Sequence, residues 1–273
     1  MIREFTTYLK TIKGYSENTA LSYEKDLTRF SKWVRATHPD QRWSTLTRNE
    51  IDEYITMRAN QGISPATTNR ELASISGIYR YFIRQGWLTK NPCRYQSRRK
   101  QGEHLPTTIP LEELKAAYRN SVGVTRIWIG LLMTTGIRLG ELLDLTWEDF
   151  DFHANSIEIH GKGNKERIVF STSEVLEPLR QMAEYKPRTG KLWERDARDV
   201  RRIIHEALQA FSSARQLSPH TIRHTFATAF ARQGANVSTL AKLLGHNNLN
   251  TTQRYINLAN IDTQAACMKY SLI

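Results

Sequence analysis

The amino-acid sequence predicts a mainly α-helical protein of two domains, the second of which also carries a small antiparallel β-sheet. Three observations support this prediction. Residues 1–91 place apolar side chains three and four positions apart, which is the period of a helix. Residues 92–107 lose this period and are rich in basic residues. Residues 108–273 return to a helical pattern, except for a stretch between residues 152 and 170.

The N-terminal block, residues 1–91, contains start signals for the helices of a bundle of about four. Ser16 is suited to accept a hydrogen bond from the free N–H groups at a helix start. Thr47 and Glu50 have the spacing of a capping box. Ser64 followed by Pro65 reads as an N-cap and a first helical residue. The block therefore forms a small helical domain, joined to the next by a basic linker over residues 92–107.

The second block, residues 108–273, changes period once. A helix is expected from Pro110, and residues 127–143 continue in helical style. Residues 156–160 then alternate between polar and apolar, and residues 161–164 supply turn-forming glycines and an asparagine. Residues 165–170 would form the returning strand. This pattern predicts a β-hairpin with a basic tip. Further helices are expected near Ser173, Asp196, Ser218, Asn236 and Asn250.

The charge balance points to a polyanionic partner. Lysine and arginine number 39 against 27 acidic residues, and the formal net charge is +12. Nucleic acid is the leading candidate, although a merely basic protein or one that binds acidic membrane surfaces is an alternative. The two cysteines, Cys93 and Cys267, stand alone, which argues against a zinc site or a disulfide framework. No signal peptide or membrane-spanning stretch is evident, so a cytoplasmic protein without a membrane partner is expected.

Several basic residues are candidates for contacts with DNA phosphates. Two lie on predicted polar helix faces, three in the linker and one on the hairpin. Taken singly, such residues are more often part of a solvated surface, and the linker could be a plain flexible connector. The candidates are Arg70, Arg84, Arg98, Arg99, Lys100 and Lys165.

Four short motifs carry residues suited to phosphate chemistry. Ser218 and Pro219 begin a helix that places His220 and Arg223 near its positive end, which favours anions. Taken singly, Arg138 is more often part of a structural salt bridge, His246 a helix-terminal residue and Tyr255 a core or surface residue. His220 and His224 lie four residues apart, as metal ligands often do, but no glutamate accompanies them and a metal is not expected. The other motifs carry Arg138 beside Glu141, His246 after a helix end, and Tyr255 in a short helix.

In this order the four motifs, together with the hairpin motif, resemble the tyrosine recombinases of the phage integrase family, especially their compact Xer-like members. They read T-G-I-R-L-G-E-L-L-D-L, G-K-G-N-K-E-R, H-T-I-R-H, L-L-G-H and T-T-Q-R-Y. The resemblance spans nearly the whole chain. It implies a SAM-like core-binding domain over residues 1–91 and a catalytic domain over residues 108–273. By motif, the implied catalytic residues are Arg138, Lys162, His220, Arg223, His246 and Tyr255.

The resemblance also implies roles. Tyr255 would attack a phosphodiester and form a 3′-phosphotyrosyl intermediate, while Arg138 and Arg223 hold the equatorial oxygens of the transition state. The cluster of cations should make the phenol of Tyr255 easier to ionise. Such a reaction conserves the bond energy in the protein–DNA linkage and needs no metal and no cofactor.

The remaining family residues would handle protons. His220 is the expected general base for the nucleophile, and His246 the expected donor to a phosphate oxygen. Lys162, on the hairpin, would be the general acid for the 5′-hydroxyl leaving group, with a pKa lowered by the arginines. Lys165 is the rival for that role, and motif position alone favours Lys162.

The C-terminal tail shows a helical apolar period. In the resembling family such a helix commonly docks on a neighbouring protomer, which implies a homotetramer on double-stranded DNA, alone or with a paralogous recombinase. The alternative is packing on its own domain. The periodic residues are Leu258, Ile261, Ala265, Met268 and Leu272.

Other functions stay open from the sequence. The chain starts at the core-binding block, so inverted-repeat core sites are the expected substrate. The alternatives are a type IB topoisomerase, which uses similar chemistry, and an accessory protein that binds DNA without cleaving it. The sequence leaves undecided whether the role is chromosome-dimer resolution, movement of a mobile element or inversion of a DNA segment.

Overall fold

The computed structural model describes residues 1–100, 102, 106–161, 165–185, 189–246 and 249–260; for residues 165, 250 and 258–260 it describes the backbone alone. The chain divides into two compact units, Met1–Glu103 and His104–Ile273. This division falls within the segment predicted to be a linker. Each unit is described by itself.

The first unit is a bundle of four helices: α1 (Ile2–Thr11), α2 (Glu17–Thr37), α3 (Arg48–Asn60) and α4 (Pro65–Arg84). The predicted helix starts are confirmed. The hydroxyl of Ser16 accepts from the backbone N–H of the third residue of α2, and Ser64 does the same for α4. Thr47 and Glu50 form the predicted capping box of α3. An apolar core of aliphatic and aromatic side chains holds the four helices together.

The first part of the predicted linker belongs to this bundle. Cys93 is buried in its core. The side chain of Asn69 on α4 donates to the carbonyl of Arg99 and accepts from its N–H, both at 2.9 Å. The guanidinium of Arg99 in turn donates to the carbonyl of Ile63 at 2.9 Å. The predicted linker is therefore tied to the first unit at Cys93 and Arg99 and is not a free connector over residues 92–100.

The second unit contains eight α-helices, one short 3-10 helix (Trp147–Asp149) and three strands within the described residues. The helices are α5 (Leu111–Asn120), α6 (Gly123–Thr135), α7 (Leu139–Asp144), α8 (Ser173–Tyr185), α9 (Ala197–Gln209), α10 (Pro219–Arg232), α11 (Val237–Leu244) and α12 (Leu249–Asn260). The strands are β1 (Phe150–Asp151), β2 (Ser156–Gly161) and β3 (Lys165–Phe170). The predicted hairpin is confirmed, and the sheet runs antiparallel in the order β1-β2-β3. The short strand β1 was not predicted.

Helix α6 lies at the centre of this unit and contacts α5, α8, α9 and α10. Its Trp128, Ile129, Leu131 and Leu132 are buried. Among the helices of the described residues, none combines the length and apolar character that crossing a bilayer requires.

The helical stretch expected over residues 127–143 is interrupted once in the structure. Helix α6 ends at Gly136, whose φ of 64° is left-handed, and a new short helix begins after Arg138. Glycine is required there for a second reason, because a Cβ atom would lie 2.3 Å from Cδ1 of Phe226 on α10. The break turns Arg138 out of the helical core and makes it the N-cap residue of α7.

Candidate active site

Arg138 is paired with Glu141 at the start of α7. Its Nη1 donates to Oε1 of Glu141 at 2.7 Å, and its backbone N–H donates to Oε2 at 2.8 Å. The side chain of Glu141 is only 8% exposed, whereas that of Arg138 is 42% exposed. The anion that pairs with Arg138 in this structure is therefore Glu141. The exposed part of the guanidinium keeps further N–H groups available for a ligand.

A second arginine, Arg223 on α10, is buried in the same place with 1% of its surface exposed. Its Nη1 donates to the carbonyl of Gly136 at 2.7 Å, and its Nη2 donates to the carbonyl of Leu244 at 2.5 Å. Its Nη1 also lies 4.0 Å from Oε2 of Glu141. Burial and the charge of Arg138 lower the pKa of Arg223 to about 10, which still leaves it charged at neutral pH.

The end of α11 brings the arginines together. Because the last carbonyls of a helix lack partners within the helix, they form a negative end that attracts cations. The carbonyl of Leu244 accepts from Arg223, and that of Gly245 accepts from Nη2 of Arg138 at 3.1 Å. Gly245 ends α11 with a left-handed φ of 62°, which turns the chain towards His246. This turn therefore places two guanidiniums and one imidazole side by side.

His246 is held from both sides. Its Nε2 lies 3.1 Å from Nη2 of Arg223, and its Nδ1 lies 2.8 Å from the hydroxyl of the buried Thr252 on α12. Since a guanidinium only donates, Nε2 accepts and Nδ1 carries the proton. Burial and Arg223 lower the pKa of His246 to about 4, so the imidazole is neutral at pH 7. In this state Nε2 carries no proton, so His246 donates from Nε2 to a phosphate only after Arg223 releases it and Nε2 takes up a proton.

Tyr255 lies within an apolar cluster of α10, α11 and α12 and is 1% exposed. Its ring is stacked on that of His246, with centroids 6.4 Å apart. Its hydroxyl lies 2.7 Å from Nδ1 of His224. The expectation that His220 stands against the nucleophile is therefore corrected, because one helical turn separates the two histidines and His224 takes that place. His220 is exposed and packs edge-on against His224, with ring centroids 4.4 Å apart.

The pKa of Tyr255 also departs from expectation. Burial raises the pKa of Tyr255 above the ordinary value of 10, although Arg254 and Arg223 act in the opposite direction. Burial likewise lowers the pKa of His224 to about 3, together with the charges around it. Both groups are therefore neutral at pH 7, and Nδ1 of His224 shares one hydrogen bond with the phenol hydroxyl. The expected ease of ionisation is absent here, because loss of water outweighs the nearby cations.

The other predicted residues are placed as follows. Lys162 lies outside the described residues, as does the side chain of Lys165. Arg70 donates to the buried Asp26 at 2.5 Å, and Arg84 donates to the hydroxyl of Tyr8 at 2.7 Å. Arg99 points into the first unit, as described above. Arg98 and Lys100 are exposed.

Few described residues could hold a metal ion. Glu158, His160 and Glu166 place their ligand atoms within 4.8 Å of one another on the hairpin, but all three are exposed. His160 is already 3.1 Å from Asp149 and 3.5 Å from Glu166. Exposed groups of this kind are common without a metal, and the trio carries no proposal.

Three residues of the site were missed from the sequence. His224 was weighed only as a metal ligand, although it stands in the motif H-T-I-R-H. Thr252 stands in T-T-Q-R-Y and was not given a role. Arg167 on β3 was not singled out, and it binds Glu141 with two hydrogen bonds of 3.0 and 2.7 Å. Their contacts come from segments far apart in the chain, so only the motif letters could have signalled them.

Two models of known protein families match this chain. Residues 109–261 match the phage integrase family, and residues 2–86 match the phage integrase N-terminal SAM-like domain. The chain belongs to the phage integrase family. By class it is a tyrosine recombinase, an enzyme that breaks and rejoins DNA.

The relatives agree with this assignment. The chain is 29% identical over 276 residues to the tyrosine recombinase XerC of Lactobacillus delbrueckii subsp. bulgaricus, covering 94% of this chain and 93% of that protein. It is 28% identical over 280 residues to the tyrosine recombinase XerD of Lacticaseibacillus casei, covering 95% and 94%.

Solved structures show the same fold at low identity. The XerH site-specific recombinase bound to palindromic difH substrate is similar with a TM-score of 0.76 and 18% identity, over 98% of this chain and 85% of that one. A lambda integrase dimer bound to a COC′ core site is similar with a TM-score of 0.69 and 18% identity, over 93% and 75%.

Proposed function

We propose that this chain is a site-specific recombinase that cleaves and rejoins DNA through a 3′-phosphotyrosyl intermediate, without a metal or a nucleotide. One observation carries the proposal. Arg138, Arg223, His246 and Tyr255 come from four separate elements and meet in one network of contacts. Such a cluster of cations around a single phenol is suited to a phosphodiester, since its donors are fixed before the substrate arrives.

The charges of the cluster fit the transition state. Arg138, Arg167 and Arg223 contribute three positive charges, and Glu141 contributes one negative charge. The net excess of about two positive charges complements the charge that gathers on the equatorial oxygens of a pentacoordinate phosphorus. His224 and His246 are neutral before the reaction, so they add no charge to the cluster until a proton is transferred.

Tyr255, His224 and Lys162 together account for every bond and proton in the proposed reaction. The phenol oxygen of Tyr255 forms a bond to phosphorus while the bond from phosphorus to the 5′-oxygen breaks. The phenol proton moves to Nδ1 of His224, and the 5′-oxygen takes a proton from Lys162, the role that the family resemblance gives it. Rejoining reverses these steps with the 5′-hydroxyl of the other strand. The anionic phosphate counteracts burial by raising the pKa of His224.

A covalent adduct tests this proposal. A duplex selected by the full chain from a random-sequence library is nicked beside the scissile phosphate, so that cleavage releases a short fragment and traps the protein on DNA. We expect wild-type protein and the control Tyr185→Phe, at an exposed position, to form the adduct. Tyr255→Phe should bind the same duplex and form none.

The alternatives give different outcomes. If the wild-type chain binds DNA and never forms an adduct, it is an accessory protein and the proposal fails. If it relaxes supercoiled DNA but exchanges no strands between two marked sites, a type IB topoisomerase activity replaces recombination. Strand exchange between the marked sites supports the recombinase.

Assembly is a further part of the proposal. We infer that four protomers act on two inverted-repeat core sites, alone or with a paralogous recombinase, and that the tail helix joins them. The periodic tail residues lie beyond the described side chains, so this inference rests on the family resemblance. Deletion of residues 258–273 should weaken DNA-dependent tetramers in analytical ultracentrifugation. Unchanged tetramers would show that the tail packs on its own domain.

The exposed cations of the basic segment are also proposed to bind DNA phosphates. Arg98 and Lys100 are exposed, unlike Arg99. The double variant Arg98→Gln, Lys100→Gln should weaken DNA binding and flatten the dependence of log K on log salt by about 0.9 for each phosphate that is no longer neutralised. A salt slope equal to that of the wild type would remove these residues from the DNA interface.

A further inference from the structure

Arg167 occupies the centre of the site without facing the solvent. Its Nε donates to the carbonyl of Leu243 at 2.8 Å, next to the two carbonyls that hold Arg138 and Arg223. Its Nη1 and Nη2 donate to the two carboxylate oxygens of Glu141 at 3.0 and 2.7 Å. Three consecutive carbonyls at the end of α11 thus accept from three different arginines.

We propose that Arg167 is a positioning residue for DNA cleavage, which sets the turn carrying His246 and the carboxylate that orients Arg138. The proposal rests on the proposed function. Each nitrogen of the guanidinium already donates within the protein, and the side chain is 12% exposed, so Arg167 is poorly placed to bind a phosphate itself. Arg167 therefore acts through the groups it holds.

The paired geometry explains why an arginine is needed. The two parallel bonds to Glu141 fix the carboxylate plane, and the third bond fixes the end of α11 relative to β3. The guanidinium also packs against Gly245, where a Cβ atom would lie 2.9 Å from Nη1. Arg167 thereby joins three elements: β3, the start of α7 and the turn before His246. The single nitrogen of a lysine could not make two parallel bonds to the carboxylate and reach the carbonyl of Leu243 from a separate atom.

Loss of Arg167 should loosen the site without removing a substrate contact. Glu141 would keep Arg138 but lose its strongest fixed partner, and the carbonyl of Leu243 would lose its donor. Misplacement of catalytic groups by about 1 Å lowers rates by about 100-fold. The expected signature is a slower cleavage step with nearly unchanged DNA affinity.

The test uses the full chain and the nicked duplex described above. Single-turnover cleavage is measured at saturating DNA, together with the Kd for the same duplex and the thermal unfolding midpoint. We expect Arg167→Gln to cleave about 100-fold more slowly with a Kd within about threefold of wild type. Arg167→Lys should recover part of the rate. Arg202→Gln, which removes an exposed ion pair with Glu206, is the matched control and should cleave as the wild type does.

The outcomes separate this proposal from the proposed function. A wild-type chain without any adduct overturns the proposed function and this inference with it. An active wild type with an equally active Arg167→Gln overturns this inference alone, as does a loss of cleavage that only matches a loss of folded protein or of DNA binding. If Arg167→Gln does not fold, Arg167→Lys decides, since a full wild-type rate there would contradict the need for paired geometry.

Discussion

Replacing Glu141 with glutamine should destabilise the second unit by about 3 kcal/mol at pH 7. Burial alone would raise the pKa of Glu141, but hydrogen bonds from Arg167 and Arg138 outweigh it and hold the pKa at about 2, against an ordinary value of 4.5. A difference of about 2.5 units corresponds to about 3 kcal/mol of stabilisation of the charged form. The side chain is 8% exposed, so little of this is screened by water.

The sign of the pH dependence follows from the lowered pKa. The stabilisation is complete above pH 4.5 and is lost as the pH falls through 2, with about half of it gone near pH 3. The difference between wild type and Glu141→Gln should therefore shrink on acidification. A glutamine cannot lose or gain this charge, so the variant lacks that dependence.

Hydrogen exchange of peptides from α6, measured along a urea series at pH 7 and at pH 3, gives the free energy of unfolding of the second unit alone. The matched control is Glu206→Gln, whose carboxylate is 58% exposed and should contribute less than about 1 kcal/mol. The reasoning would be refuted if the free energy of unfolding of Glu141→Gln lay within about 1 kcal/mol of the wild-type value at pH 7. It would also be refuted if the difference between the two proteins stayed constant down to pH 3.

Two further predictions concern the helix break and the nucleophile. Gly136→Ala should lower the free energy of unfolding by about 2 kcal/mol or more, because φ is positive and the new Cβ atom meets Phe226. Gly140→Ala has open space and should be neutral or slightly stabilising, so equal unfolding midpoints for the two variants would contradict the argument. His224→Ala should slow adduct formation by about 100-fold at saturating DNA, since Tyr255 loses its proton acceptor. An unchanged single-turnover rate would exclude His224 from this role.

Local signals in the sequence were sufficient for most of the fold. The capping residues Ser16, Thr47 and Ser64 act through the next few residues, so their helices could be placed without tertiary information. The hairpin was predictable for the same reason, because alternation and turn residues are local. The lack of room for a side chain at Gly136 was not, because Phe226, 90 residues along the chain, occupies the place that a Cβ atom would take.

The residues of the site could be named, but not their contacts. Sequence motifs marked Arg138, Arg223 and His246, and the structure brings them together. The sequence could not show which histidine of H-T-I-R-H faces Tyr255. A helix places both on nearby faces, and only the packing of α12 on α10 decides that His224 is the one.

What the sequence determined by itself was the chemistry available to the chain: a strong excess of positive charge and a set of family motifs in order, the last of which ends in Tyr255. What tertiary structure alone decided was the state of each group. Burial raises the pKa of Tyr255 and lowers those of His224 and His246, because the charged forms lose their water. Desolvation depends on every neighbour that excludes water, and those neighbours are assembled only when distant segments fold together.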